Sequence, residues 1–251
     1  MGLRLLSQND LMLVFSIDES YLLIFNPDKS EVAGRLVPSH AASGQGHIAF
    51  TITEDEKKAV AFHEAGHATV SWMLEHAAPL VKVTIVPRGR SLGAAWYLPE
   101  ERLIVRPEQM LDEMCAALGG RAAEKVIFNK ISTGALSDLE KVTKQARAMV
   151  TVYGLNDKVG NLTYYDSSNG NEYGFTKPYS EQTAETIDKE ISAIIEKQYQ
   201  RAISILKKNK KKLIELAEVL LTKEVIFKDN LEEIFGKRPF DKQEVANKKN
   251  K

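Results

Sequence analysis

The sequence predicts a mainly α fold with a small β-hairpin inside it and a short β-like segment at its N-terminus. Three observations carry this. From Thr53 onward the apolar residues recur mostly at helical spacing. One stretch, Val81 to Leu98, breaks that spacing with β-branched and aromatic residues. The first 50 residues instead hold short apolar runs separated by turn signals.

Leu11 to Phe15 and Tyr21 to Phe25 read as two short strands around a turn at Asp18 and Glu19, and Asn26-Pro27-Asp28 marks a further turn. Pro38 to Gly46 is small, polar and glycine-containing, and reads as a linker. A helix follows over about 54–76. Thr53 and Glu56 have the spacing of a capping box, and Glu54, Asp55 and Glu56 suit the positive end of a helix dipole. Val81 to Val86 and Leu92 to Leu98 form two strands joined by Arg88-Gly89-Arg90, and Pro99 ends the second. Pro107 opens a helix running to about Phe128, and another runs from Leu136 to about Tyr153, before Gly154. Residues 160–178 read as an irregular loop. Ile187, Ile191, Ile194, Ile195, Tyr199, Ala202, Ile205 and Leu206 mark a long helix over about 180–208. Lys207 to Lys212 reads as a solvated helix end, and Leu213 to Leu221 and Asn230 to Phe235 as further helix. The expected organisation is an N-terminal segment with linker (1–50), a main domain (51–240) and a disordered tail (241–251).

Composition excludes several classes. The chain has 251 residues, 43% of them hydrophobic, and a formal net charge of zero. Nucleic acid is not an expected partner, because a binder carries a basic bias. Cys115 is the single cysteine, so no internal disulfide and no Cys-rich zinc finger forms. Its apolar setting reads as a buried thiol. No stretch reaches the roughly 18 apolar residues that span a bilayer, and Gln8, Asn9 and Asp10 interrupt the N-terminal apolar run. The chain as written is therefore expected to be soluble, without direct membrane insertion.

Within the first long helix, residues 63–67 read His-Glu-Ala-Gly-His. Two histidines four apart differ by about 40° of rotation and about 6 Å of rise. Both imidazoles can reach one metal ion, with Glu64 beside it to take a proton from a bound water. This is the H-E-x-x-H arrangement of zinc metalloproteases. Two surface histidines on an amphipathic helix would give the same letters. Gly66, a weak helix residue, fits a place where something packs close to the backbone. A catalytic zinc needs a third protein ligand. His40 and His47 fall at the linker, and His76 lies too far along the helix. A carboxylate is expected. Asp138 opens a helix after Ser132-Thr133-Gly134-Ala135, and Glu124 follows the paired glycines Gly119-Gly120. By chemistry alone Asp138 reads equally as a first-turn aspartate, and Glu124 as an ion-paired surface glutamate.

Residues from about 53 to 240 resemble the peptidase domain of the FtsH-type ATP-dependent zinc metalloproteases. Beside HEAGH stand VTIVPRG at 83–89, LGAAWYLPEE at 92–101, LGGRAAE at 118–124, STGALSD at 132–138, and the later KPYS, KEVIF and GKRPF segments, in order. The resemblance implies one zinc ion per chain on His63, His67 and Asp138, with Glu64 as the base. It implies that Glu124 supports a ligand from behind. It also implies an edge strand beside the active site, at Leu92, Gly93, Ala94, Ala95 and Trp96, that binds an extended polypeptide by β-augmentation. The expected function is a zinc endopeptidase that degrades unfolded or unwanted proteins, the proteolytic part of an ATP-dependent protease. The alternative is a non-catalytic assembly or regulatory subunit of such a protease ring.

The resemblance further implies a homo-hexamer, or assembly with full-length relatives, on the cytoplasmic side of a membrane that anchors those relatives. Family members carry an AAA ATPase module and transmembrane helices ahead of the peptidase. This chain has no G-x-x-x-x-G-K-[ST] phosphate loop, so ATP is expected to act only through a module this chain lacks. Residues 1–50 do not resemble that module.

Overall fold

The structure is a computed structural model that describes residues 53–86, 93–98, 104–165 and 178–240, and the backbone of five strands within residues 4–50. The turns at 26–28 and 88–90, the linker 38–46, Leu92, residues 166–177 and the tail from 241 lie outside the described residues. The chain divides into two compact units, residues 1–58 with 86–93 and residues 59–85 with 94–251.

In the first unit β1 (Arg4–Asn9), β2 (Met12–Asp18), β3 (Tyr21–Phe25), β4 (Val32–Val37) and β5 (His47–Phe50) pair in sequence order, each antiparallel to the next. The sequence reading expected two strands here and finds five. β4 carries Gly34 and Arg35 and has no continuous apolar signal; its backbone groups find partners on β3 and β5. His47, assigned to the linker region by sequence, opens β5.

In the second unit the helices dominate, and the mainly α expectation holds. Helix α1 spans Glu54–Trp72. Its capping box forms as expected: Glu56 N–H donates to Thr53 Oγ1 at 3.2 Å, and Thr53 N–H donates to Glu56 Oε2 at 2.9 Å. From Ala61 to Trp72 every residue is buried. The amphipathic surface helix is thereby excluded. α1 stops four residues before the expected end. The carbonyls of Leu74 and Ala77 turn to the buried Arg238, which donates to them at 2.7 and 2.6 Å. His76 N–H donates to Asp112 Oδ2 at 3.0 Å.

Strands β6 (Leu80–Thr84) and β7 (Ala94–Tyr97) pair antiparallel. They are not an isolated hairpin. β8 (Val225–Phe227), which the sequence reading left inside a helical C-terminus, pairs with the other side of β6. The sheet order is β7-β6-β8, so β7 is an edge strand.

The expected helix over 107–128 is two helices, α2 (Pro107–Ala117) and α3 (Gly119–Phe128), broken at Leu118. A single 3-10 turn (Thr133–Ala135) leads into α4 (Leu136–Thr151). α5 (Glu181–Lys208) begins at Ser180, whose side chain caps Thr183 N–H. α6 (Lys210–Lys223) and α7 (Lys228–Phe235) follow. The lysine run at 207–212 straddles the α5–α6 turn at Asn209, as expected of a solvated helix end. One core joins α1, β6, the end of α5, α6, β8 and α7 through residues such as Leu206, Leu213, Leu216, Leu220, Ile226 and Leu231. Each such Leu or Ile contributes about 1.5–3 kcal/mol by leaving water. A second core gathers α2, α4 and α5 around Met114, Val142 and Ile187. Among the described residues no helix is long and apolar enough to cross a membrane.

Candidate metal centre

Three elements converge on the two histidines. α1 places His63 and His67 on one face, their ring centroids 4.8 Å apart. The start of α4 brings Asp138 to them. Asp138 Oδ2 lies 3.2 Å from His63 Nε2 and 3.3 Å from His67 Nε2. One ligand atom from each residue falls within 4.8 Å of the other two.

α3 supplies the close approach. Its start lies so near α1 that a Cβ on Gly66 would sit 2.4 Å from the Gly119 carbonyl oxygen, and a Cβ on Gly120 2.3 Å from His63 Nε2. Glycine is needed at these positions for contact rather than for backbone conformation. The break at Leu118 also presents the Ala116 carbonyl, two residues earlier, to His67 Nδ1 at 2.9 Å.

The outer nitrogens fix the inner ones. A carbonyl oxygen only accepts, so His67 carries its proton on Nδ1 and donates to Ala116. His63 Nδ1 faces Glu124 Oε1 at 2.7 Å and donates to that carboxylate. In the neutral rings both Nε2 lone pairs then point at a carboxylate oxygen. Three acceptors meeting at about hydrogen-bond distance repel unless a proton or a metal cation sits among them. Two imidazole nitrogens and one carboxylate form a donor set that suits zinc. The residues therefore fit the metal that the motif implies.

The charges agree. Burial opposes a positive charge on His63, but hydrogen bonds to Asp138 and Glu124 outweigh it and raise its pKa to about 9. Burial would raise Asp138, but the two histidines hold its carboxyl well below the usual range. Glu124 is also held low: burial works against its charge, and donors from His63 and Ser132 overcome it. Glu64 differs. It is buried, its carboxylate has no hydrogen-bond or ion-pair partner among the described residues, and burial pushes its pKa up. A carboxylate in that state, flanked by both histidines, is suited to take and return a proton.

Glu124 is thus no surface residue; its carboxylate also accepts from Ser132 N–H at 2.7 Å and Ser132 Oγ at 3.1 Å. Sequence reasoning missed the roles of Ser132 and the Ala116 carbonyl. It missed as well the tie between Ser71, one turn beyond His67, and Tyr97, whose oxygens lie 3.3 Å apart. That contact fixes edge strand β7 to the metal-site helix. Of the expected edge-strand residues, Gly93 precedes β7 and Ala94, Ala95 and Trp96 lie in it. Trp96 is half exposed.

A family model described as peptidase family M41 matches residues 50–234. The chain belongs to peptidase family M41. Among curated M41 relatives, the chain is 61% identical over 207 residues to "ATP-dependent zinc metalloprotease FtsH" of Parabacteroides distasonis, covering 79% of this chain and 30% of that protein. It is 51% identical to "ATP-dependent zinc metalloprotease FTSH 3, mitochondrial" of Arabidopsis thaliana, over 78% of this chain and 24% of that protein. It is 46% identical to "Mitochondrial inner membrane m-AAA protease component AFG3L2" of Mus musculus, over 74% and 23%. The chain thus spans less than a third of the length of these M41 relatives.

Proposed function

We propose that this chain is a zinc-dependent endopeptidase, the proteolytic part of an ATP-dependent FtsH-type protease. One observation carries the reading: His63, His67 and Asp138 bring one ligand atom each within 4.8 Å of the others, beside the buried carboxylate of Glu64. The three residues hold the ion, and the Ala116 carbonyl and Glu124 keep both Nε2 atoms free to face it. Zinc, when bound, supplies Lewis acidity that polarises a peptide carbonyl and acidifies water. Glu64 accepts a proton from the attacking water and delivers it to the departing amine.

The polypeptide lies extended along Gly93 to Trp96, adding a strand to β7 through main-chain groups, which makes sequence preference loose. Residues 51–240 form the peptidase domain, with 1–50 a separate segment and 241–251 a tail; the family match over 50–234 supports the first of these. The names of the relatives support ATP dependence and, for one of them, a place among the components of a membrane protease; the sequence resemblance adds a cytoplasmic-side peptidase that works in a hexamer, alone or with full-length relatives, and draws on ATP through their motor.

Substituting Glu64→Gln removes the base and leaves the three metal-holding residues in place. The variant should bind zinc like the wild type and cut unfolded casein at least about a hundredfold more slowly. Wild-type cleavage by Glu64→Gln would exclude Glu64 as the base.

A further inference from the structure

The carboxylate of Glu124 holds more than His63. It receives three donors: His63 Nδ1–H at 2.7 Å, Ser132 N–H at 2.7 Å and Ser132 Oγ–H at 3.1 Å. Ser132 Oγ in turn accepts Gly134 N–H at 3.2 Å and so caps the 3-10 turn that leads into α4 and Asp138. A continuous set of hydrogen bonds therefore runs from one histidine on α1, through Glu124 on α3, to the turn that delivers the carboxylate on α4. Glu124 is buried, so its bond to His63 is shielded from water and strengthened by the low local dielectric, while the bonds from Ser132 lie at the partly buried edge of the site. With the Ser132 hydroxyl removed, the Glu124 carboxylate loses one of its three donors, and the turn before Asp138 loses its side-chain cap.

We propose that Ser132 is a positioning residue for the metal centre: acting through Glu124, it orients His63 and couples that ring to the placement of Asp138. The proposal rests on the metal-site reading above. A partner behind a metal-binding histidine sets its tautomer and orientation, and losing one typically weakens metal binding about 10–100-fold. Ser132 stands one step further out, but its bonds lead toward two of the three metal-holding residues, to His63 through Glu124 and to Asp138 through the 3-10 turn. Its removal should act on both together.

The test is zinc affinity by competition with a chromophoric chelator, measured on the full chain. Ser132→Ala should weaken zinc by about 10–100-fold. Ser132→Thr, which keeps the hydroxyl and the capping chemistry, should stay within about threefold of wild type. Thermal unfolding of the metal-free proteins should separate the two variants little, since a merely structural role would appear there. Glu124→Gln supplies the second arm: in that background Ser132→Ala should cost clearly less than it does in the wild type, because the part of its effect that acts through Glu124 is already lost. Cobalt-loaded Ser132→Ala should also show shifted visible absorption bands. Wild-type affinity in Ser132→Ala, equal loss in Ser132→Thr, or full additivity with Glu124→Gln would each overturn the proposal. A wild-type chain that takes up no zinc would sink this inference and the metal reading together, whereas zinc uptake with an unchanged Ser132→Ala would sink this inference alone.

Discussion

His67 needs only one contact to settle its chemistry. The Ala116 carbonyl cannot donate, so the ring proton is on Nδ1 and the lone pair on Nε2 faces Asp138. Glu64, four positions before Ala68 and between the two histidines, is buried with its carboxylate unpaired among the described residues. A second buried group shows how differently the same environment acts away from the site. Cys115 is fully buried, and burial pushes its thiol up from 9 to about 12, with Arg201 only partly offsetting this. Thiolate is the reactive form. Below pH 9 the folded chain should therefore hold roughly a thousandfold less thiolate than the unfolded one. Iodoacetamide at pH 8 should leave Cys115 unmodified in the folded protein and label it in denaturant. Rapid labelling of the folded chain would show that α2 opens around it. The sign on stability follows: above pH 9 only the unfolded chain ionises at this position, so folding weakens as pH rises through that range.

At the scale of elements, the contact between α1 and α3 sets the geometry. A Cβ on Gly119 would lie 2.8 Å from the Gly66 carbonyl oxygen and 3.1 Å from His67 Cα. Gly119→Ala should cost about 1–3 kcal/mol by overpacking and lower Tm by several degrees. An unchanged Tm would mean that the helices can move apart freely. This contact also explains what was legible beforehand. α1 could be read from Thr53, Glu56 and the acidic first turn because its signals are local. The i, i+4 histidines were readable for the same reason. The break at Leu118 was not, because Gly119 and Gly120 answer to residues more than 50 positions away on α1. β8 was missed because Val225-Ile226-Phe227 is only three residues long and is a strand through its pairing with β6. The residues alone left Asp138 and Glu124 as equal candidates, and only the resemblance favoured Asp138. The fold separates them: Asp138 meets both Nε2 atoms, while Glu124 meets only His63 Nδ1.

At the scale of the molecule, the fold brings together the candidate metal-holding residues, the buried Glu64 and an edge strand tied to the same helix. It carries no phosphate-binding loop in its 251 residues. Unfolding a stable substrate requires work, which a phosphate-binding loop of that kind would couple to ATP. The isolated chain should cut unfolded or flexible polypeptides, leave a stably folded protein intact, and respond to ATP not at all. ATP-stimulated degradation of a folded protein by this chain alone would contradict that division of labour. The most direct test of the central claim is a zinc titration of the metal-free full chain, followed by cleavage of fluorescently labelled unfolded casein. Cleavage should be absent without metal, rise in proportion to zinc and level off at about one equivalent per chain. Cleavage that persists in the metal-free chain, or none at any zinc level, would contradict a hydrolytic centre on His63, His67 and Asp138.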